Sequence, residues 1–295
     1  MGLPILPIAM SDLVTVYVPT HNRRPLVERA TASVLAQTHA NLELIVVNDG
    51  SSDDTGAFLD DLAERDPRVT ALHTEIPGGA PAARNRAVKL AKGTFITGLD
   101  DDDEFHPRRI EEFLSHWHAL GAEQESISCL FSECVMTDGD TSVETRDRGD
   151  NIVYADLFRH NYIGNQVFCP TERFHAIDGF DEQLPAWQDL ETFMRLVDRF
   201  GPARLVPLAT YICHVERGRD RISAKPEKLR TAFEKIVVKH GSVPEKLKQQ
   251  LFLQMFSPFY GMHPTFQDWR RMIFWGAQPA YLAKMLRANI RNRLR

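Results

Sequence analysis

Through its first hundred residues the chain alternates compact apolar runs with amphipathic stretches. "LVTVYV" (Leu13 to Val18), "LELIVVND" (42–49), "RVTALH" (68–73) and "GTFITGL" (93–99) are short and rich in β-branched and apolar residues, as buried strands are. Between them, "RRPLVERATASVLAQT", "SSDDTGAFLDDLAERD" and "PAARNRAVKLA" carry apolar residues at helical spacing, the second behind N-capping Ser and Asp. Such alternation predicts an α/β fold, a mainly parallel sheet covered by helices on both faces with right-handed crossovers. From about 107 to 225 it weakens. A helix is expected at "PRRIEEFLSHWHAL", a strand near "SISCLFSE", a polar hairpin-like stretch at "VMTDGDTSVETRDRGD" and a helix at "WQDLETFMRLVDRFG". From Pro226 on the pattern is wholly helical, with breaks at "GSVP", "SPFYGMHP" and "AQP". The expected division is residues 1–225 and a helical region 226–295.

In parallel sheets ligands bind at the carboxyl ends of the strands. "PTHNR" follows the first strand, "NDGSSDDT" the second and "DDDD" the fourth, so all three belong on one rim. The last is the most demanding, because two like charges about 4 Å apart repel by roughly 1 kcal/mol in water and roughly 4 kcal/mol near a protein surface. Read as extended chain, Asp100 and Asp102 project one way and Asp101 and Asp103 the other. A hard cation, Mg²⁺ or Mn²⁺, would offset the repulsion, taking one or two carboxylates and completing its shell with substrate phosphates. The dipole of the helix expected from Pro107 accounts for one or two of the four charges.

Other constellations admit two readings each. Asp49 and Ser51 in "VVNDGSSDDT" suit an Asx-turn with an N-cap, or a carboxylate accepting the N3 proton of uracil or thymine. Arg84, behind the Gly78-Gly79 turn, has the forked donors that match a diphosphate, or belongs to a cationic helix face with Arg86. Asp189 follows Trp187 in "AWQDLE": an apolar ring can desolvate a carboxylate and make it a better proton acceptor, or the residue caps its helix. His214 in "YICHVERGRDRIS" is a neutral ligand for the same cation or a structural His.

Composition adds bounds. Cys129, Cys134, Cys169 and Cys213 form no CxxC pair, which reads as reduced, mostly buried thiols. "MGLPILPIAM" lacks the basic and long apolar parts of a signal peptide, and no stretch reaches the roughly 20 apolar residues of a spanning helix, so a cytoplasmic place is expected. The net charge of -5 conceals an asymmetry: from residue 226 on there are 13 Lys and Arg against 4 Asp and Glu, leaving 22 against 36 before it. The acidic body argues against nucleic acid. "PAYLAKMLRANIRNRLR" (279–295) places Tyr281, Leu282, Met285, Leu286, Ile290 and Leu294 largely along one face among basic residues, which suits an anionic membrane surface or packing on the body.

Taken together and in order, "VPTHNR", "NDGSSDDT", "GGAPAARN", "LDDDD", "WQDLE" and "CHVERGRDRIS" resemble the inverting family 2 glycosyltransferases of the GT-A fold over roughly residues 13–225. The resemblance implies a nucleotide-sugar half at about 13–105 and an acceptor half at about 106–225. It assigns Pro19, Thr20 and Asn22 to the first nucleotide loop, Asp49 with Ser51 to the base site and Arg84 to the diphosphate. It assigns Asp100, with Asp101, to the sugar nucleotide, Asp102 and His214 to the metal, Asp189 to the catalytic base, and Trp187 and Gln188 to the acceptor. Two departures stand out: Gln188 replaces the family's usual Glu, and Asp101 is one carboxylate more than an Asp-x-Asp pair needs. The implied reaction moves a sugar from a UDP- or dTDP-sugar to a hydroxyl of a glycan or lipid-linked acceptor in bacterial surface polysaccharide or lipopolysaccharide synthesis, at the cytoplasmic face of the inner membrane. Two other classes compete: a non-catalytic nucleotide-sugar binder, and a metal-dependent nucleotidyl or phosphoryl transferase, for which no GxxxxGK[ST] loop is found.

Overall fold

The computed structural model describes residues 12–145, 149–164, 167–215 and 225–293. "MGLPILPIAM", most of "VERGRDRIS" and the tail residues Leu294 and Arg295 lie outside them. A single mixed sheet runs in the order β3 (Val69–Thr74), β2 (Leu42–Asp49), β1 (Val14–Thr20), β4 (Phe95–Gly98), β9 (Phe168–Pro170), β6 (Cys129–Thr137), β10 (Ala203–His214), β5 (Glu104–Phe105). Two short strands flank this path: β7 (Ser142–Glu144) pairs with β6, forming the expected hairpin, and β8 (Asn151–Ile152) pairs with β10. The first four strands are mutually parallel, as the alternation predicts. β9 is antiparallel to both β4 and β6, while β6 and β10 are parallel again.

Alternate side chains explain why the apolar runs are continuous. Val16 and Val18 of β1, with Leu44 and Val46 of β2, join a core with α1 (Arg24–Leu35) and α4 (Arg109–Ala119). Tyr17, Ile45 and Val47 point to the other face, where α3 (Ala80–Leu90) and α7 (Gln188–Phe200) cover them. With both faces buried, these strands are apolar up to the rim except near their amino-terminal ends, where Thr15 and Glu43 satisfy each other by a hydrogen bond of 2.6 Å. Over the same face as Tyr17, Gly98 admits the Tyr17 ring: a Cβ there would sit 2.4 Å from its Cζ. Gly98→Ala is therefore expected to cost about 1–3 kcal/mol, read as a lower urea midpoint with an unchanged m-value.

β10 is long and irregular. Its register against β6 slips between Val206 and Ala209 and again between Ala209 and Tyr211. Pro207, which has no N–H for the ladder, lies inside the first slip. Among the described residues the remaining α-helices are α2 (Thr55–Arg65), α5 (Tyr154–Leu157), α6 (Thr171–Ala176), α8 (Pro226–Lys239), α9 (Glu245–Gln254), α10 (Phe266–Phe274) and α11 (Pro279–Arg293), the last four separated at the breaks expected from the sequence. Leu229, Phe233, Ile236, Phe252, Phe256 and Met285 from this region share one apolar cluster with Phe193, Leu196 and Val197 of α7. The single apolar face expected for the tail is corrected here. Met285, Ala288 and Asn292 are buried, whereas Leu286 and Ile290 stay about half exposed on another side, because α9 underlies α11 and Gln250 donates to the Tyr281 hydroxyl at 2.8 Å. Among the described residues no helix is long and apolar enough to cross a membrane.

Candidate functional site

The acidic run ends β4, yet it is not extended. The Asp103 N–H donates to the Asp100 carbonyl at 3.1 Å, closing a tight turn, which corrects the two-and-two alternation. Aspartates favour such turns. One carboxylate oxygen from each of Asp100, Asp102 and Asp103 lies within 4.8 Å of the others. Asp101 points elsewhere, accepting from the Thr20 hydroxyl at 2.8 Å and from the Arg23 guanidinium at 2.7 Å. The surplus aspartate thus ties the turn to the end of β1, and Asp103 takes the place in the cluster that alternation denied it. Three convergent carboxylates with no nitrogen or sulfur among them suit a hard divalent cation.

Strands β5 and β10 back this turn. The His214 amide donates to Asp103 at 3.0 Å, and the Tyr211 hydroxyl accepts from the Asp100 amide at 3.2 Å. The His214 ring itself meets Glu104, Nε2 to Oε1 at 2.6 Å, so its backbone, not its imidazole, touches the cluster. Asp103 is pushed up to about 8, mainly by burial and then by the charges of Asp100 and Asp102, against the pull of the His214 amide and the Tyr211 hydroxyl. A folded state that holds this proton more tightly than the unfolded chain loses stability as pH rises from the ordinary carboxyl value near 4 toward 8. Asp103→Asn should flatten the decline of melting temperature across that window when cation is absent.

The first turn of α7 meets the same rim through one side chain. Arg84 of α3, 9% exposed, donates to Asp189 at 2.9 Å and to Asp100 at 2.8 Å, with the Phe180 ring 5.3 Å from its guanidinium carbon. It bridges the candidate base and the candidate cation site. Burial raises the Asp189 carboxyl above its ordinary value, opposed by the Arg84 charge and assisted by Asp100. Asp189 nevertheless keeps 28% of its side chain exposed, so a solvent-borne group can reach it. Trp187, the N-cap of α7, is buried, and its indole N–H is committed to Tyr260 at 2.8 Å; Gln188 donates back to the Leu184 carbonyl at 2.9 Å.

On the other flank Asp49, at the end of β2, accepts from the Gly78 and Gly79 amides at 2.9 and 2.7 Å and from Thr74 at 3.1 Å. Gly79 adopts φ +84, a conformation that a side chain would strain, and so presents its amide to Asp49. Asn22, also at positive φ, receives the Ser52 amide at 2.7 Å on its side chain and donates its own amide to Ser51 at 2.8 Å. These bonds lace the loop after Pro19 and Thr20 to the loop after Asp49. The structure therefore brings Thr20, Asn22, Asp49, Ser51, Arg84, the acidic turn and Asp189 onto one connected rim. Sequence reasoning overlooked Arg23, Asp103, Glu104, Tyr211 and Tyr260. Of these only Asp103 carried a local signal, as part of an Asp-rich turn.

Comparison with known proteins bears on this arrangement. The model of glycosyl transferase family 2 matches residues 15–148. WcaA of Escherichia coli (strain K12), named as a colanic acid biosynthesis glycosyl transferase, is 36% identical over 227 residues, covering 76% of this chain and 80% of that protein. A glycosyltransferase of Rickettsia bellii (strain RML369-C) is 27% identical over 258 residues, 84% of this chain but 36% of that longer protein, and GlyG of Streptococcus pneumoniae is 40% identical over 102 residues, 35% of this chain and 34% of that one. Among solved structures, S. aureus TarS 1–349 in complex with UDP-GlcNAc aligns with TM-score 0.68 at 17% identity, over 95% of this chain and 88% of that one. The mannosyltransferase PcManGT of Pyrobaculum calidifontis, in complex with GDP-Man and Mn²⁺, aligns with TM-score 0.57 at 18% identity, over 95% and 86%. At such identities the likeness is one of fold, a GT-A type α/β sheet.

Proposed function

This chain belongs to glycosyl transferase family 2, and from that membership we propose that it transfers a sugar from a UDP- or dTDP-sugar to a hydroxyl of a glycan or lipid-linked acceptor, with inversion at the anomeric carbon. The bridge from Asp189 through Arg84 to Asp100 carries the reading, since it couples a proton acceptor to a cluster suited to the donor's cation. Asp49 and the loops it joins hold the nucleoside; its Oδ1 already accepts from Thr74, Gly78 and Arg86, so a base proton would go to Oδ2, which among the described residues accepts from Gly79 alone. Asp100, Asp102 and Asp103 would hold Mg²⁺ or Mn²⁺, which would supply a Lewis acid against the charge of the departing diphosphate. Arg84 orients Asp189. Asp189 takes the acceptor's proton as the acceptor oxygen bonds to the anomeric carbon, and the bond from that carbon to the diphosphate breaks with its electron pair leaving on the nucleotide.

The Mn²⁺ in the PcManGT complex and the UDP-GlcNAc in the TarS complex support a cation and a sugar nucleotide here by analogy of fold. WcaA's name supports surface polysaccharide synthesis as the setting. The test is a panel of UDP-glucose, UDP-galactose, UDP-GlcNAc, dTDP-rhamnose and GDP-mannose with Mn²⁺, read as thermal stabilisation and as nucleoside diphosphate release. Release of a nucleoside diphosphate from at least one member is expected. Stabilisation without release from any member would favour a binding protein, and release of a sugar 1-phosphate, the nucleoside monophosphate having passed to an acceptor, a nucleotidyl transferase.

A peripheral place at the cytoplasmic face of the inner membrane is part of the proposal. Phe266, Arg270, Ile273 and Phe274 share one exposed face of α10, the three apolar residues being 64–89% exposed. Residues 266–293 carry six Lys and Arg and a single acid, Asp268, which is buried against Arg230. Exposed apolar side chains beside Arg270, on a segment with an excess of basic residues, match an anionic lipid surface. Replacing Phe266, Ile273 and Phe274 together by Ser should weaken co-sedimentation with phosphatidylglycerol vesicles by roughly tenfold or more. Unchanged binding would remove this part of the reading.

A further inference from the structure

Trp187 is one of three non-glycine residues at positive φ among the described residues, and the largest of them. It sits at φ 59, ψ 26, two residues before Asp189. A bulky side chain holds such a conformation only where its surroundings over-determine it. What fixes Trp187 comes from far along the chain. Its indole N–H donates to the Tyr260 hydroxyl at 2.8 Å, and the two rings meet edge to face at 5.9 Å.

Tyr260 lies in the segment between α9 and α10, and that segment is itself clamped. Its amide donates to the Ser257 carbonyl at 3.2 Å. From α11, the buried Asn292 donates to the Met262 carbonyl at 2.8 Å and toward the Phe256 carbonyl at 3.4 Å, which also receives the Arg291 guanidinium at 3.2 Å. An unbroken chain of contacts thus runs from α11 through residues 256–262 to Tyr260, then to Trp187 and the first turn of α7.

We propose that Tyr260 is a positioning residue for Asp189, and that the helical region 226–293 belongs to the catalytic unit by holding Tyr260 against Trp187. The inference rests on the reading of Asp189 as the base. Tyr260 acts through Trp187: losing the hydrogen bond frees the N-cap of α7 and lets the carboxylate drift from the line of attack. Misplacement of a reacting group by about 1 Å costs on the order of 100-fold in rate.

The test uses the full chain and the best-turned-over member of the sugar-nucleotide panel. Tyr260→Phe keeps the ring contact and removes only the hydroxyl, and Trp187→Phe breaks the same bond from the other side, so the claim survives a folding failure of either one. Each is expected to lower kcat roughly 10- to 100-fold with donor KM unchanged, and the double variant to lose no more than the worse single. A merely structural role would lower the melting temperature and leave kcat of the folded fraction intact. Unchanged kcat in Tyr260→Phe, or losses that multiply in the double variant, would overturn the proposal. Asp189→Asn run alongside separates two failures. Turnover persisting there overturns the base assignment and the positioning claim with it, whereas an inactive Asp189→Asn beside an unaffected Tyr260→Phe overturns the positioning claim alone.

Discussion

Asp189→Asn is expected to lower kcat by on the order of 10²- to 10⁴-fold while sugar-nucleotide binding and thermal stability stay near those of the parent protein. The asparagine oxygen can still accept the Arg84 hydrogen bond, so the bridge to Asp100 keeps its geometry. What disappears is a group able to take a proton. The pH profile of the parent enzyme carries the same assignment. Burial raises the Asp189 carboxyl, so the acid limb of kcat should fall above the ordinary carboxylate value near 4. Activity is present above that raised value and lost as pH drops through it. A near-parental rate in Asp189→Asn, measured as nucleoside diphosphate release, would contradict the base role.

The second large effect belongs to the acidic turn. Asp102→Asn should reduce kcat by roughly 10²- to 10³-fold, and excess EDTA should do the same to the parent protein, with Mn²⁺ restoring the rate only in the parent. Asp102 is one of the three carboxylates whose oxygens converge, and Asp101 cannot replace it because Thr20 and Arg23 hold that side chain. Asp101→Asn is expected to disturb the seating of the turn on β1 more than the cation. Full activity of purified protein in EDTA would remove the explanation of why so many like charges are gathered at one strand end.

Much of the architecture was legible because β1, β2 and β4 are buried on both faces, which writes them as nearly continuous apolar runs, while the edge strand β3 leaves the polar Thr70 and His73 exposed. β2 spans the same eight residues that its pattern marks, and β1 differs by starting at Val14 instead of Leu13 and by adding Pro19 and Thr20 at the rim. The three-residue β9 and two-residue β5 leave no periodicity to read, and their partners lie far away in sequence. β10 was hidden by Pro207, which argues against a central strand until a register slip absorbs it. In the site, residue types on the rim betrayed their neighbourhood, since strand ends in a parallel sheet converge. The conformation of the acidic run was misread because an aspartate series continues a strand on paper, whereas its own turn chemistry prevails. Tyr260 was beyond reach: the aromatic pair Phe259-Tyr260 between Pro258 and Gly261 carries no local mark of a partner 73 residues earlier.

The central claim, that the acidic turn holds the donor's cation beside Asp189, is tested most directly by titrating Mn²⁺ in the presence of UDP and following the electron paramagnetic resonance signal of the free ion. The account predicts that the parent protein and Asp189→Asn both deplete that signal stoichiometrically, and that a variant with Asp100, Asp102 and Asp103 all replaced by Asn leaves it intact. Equal depletion by that triple variant, or none by the parent protein, would contradict it.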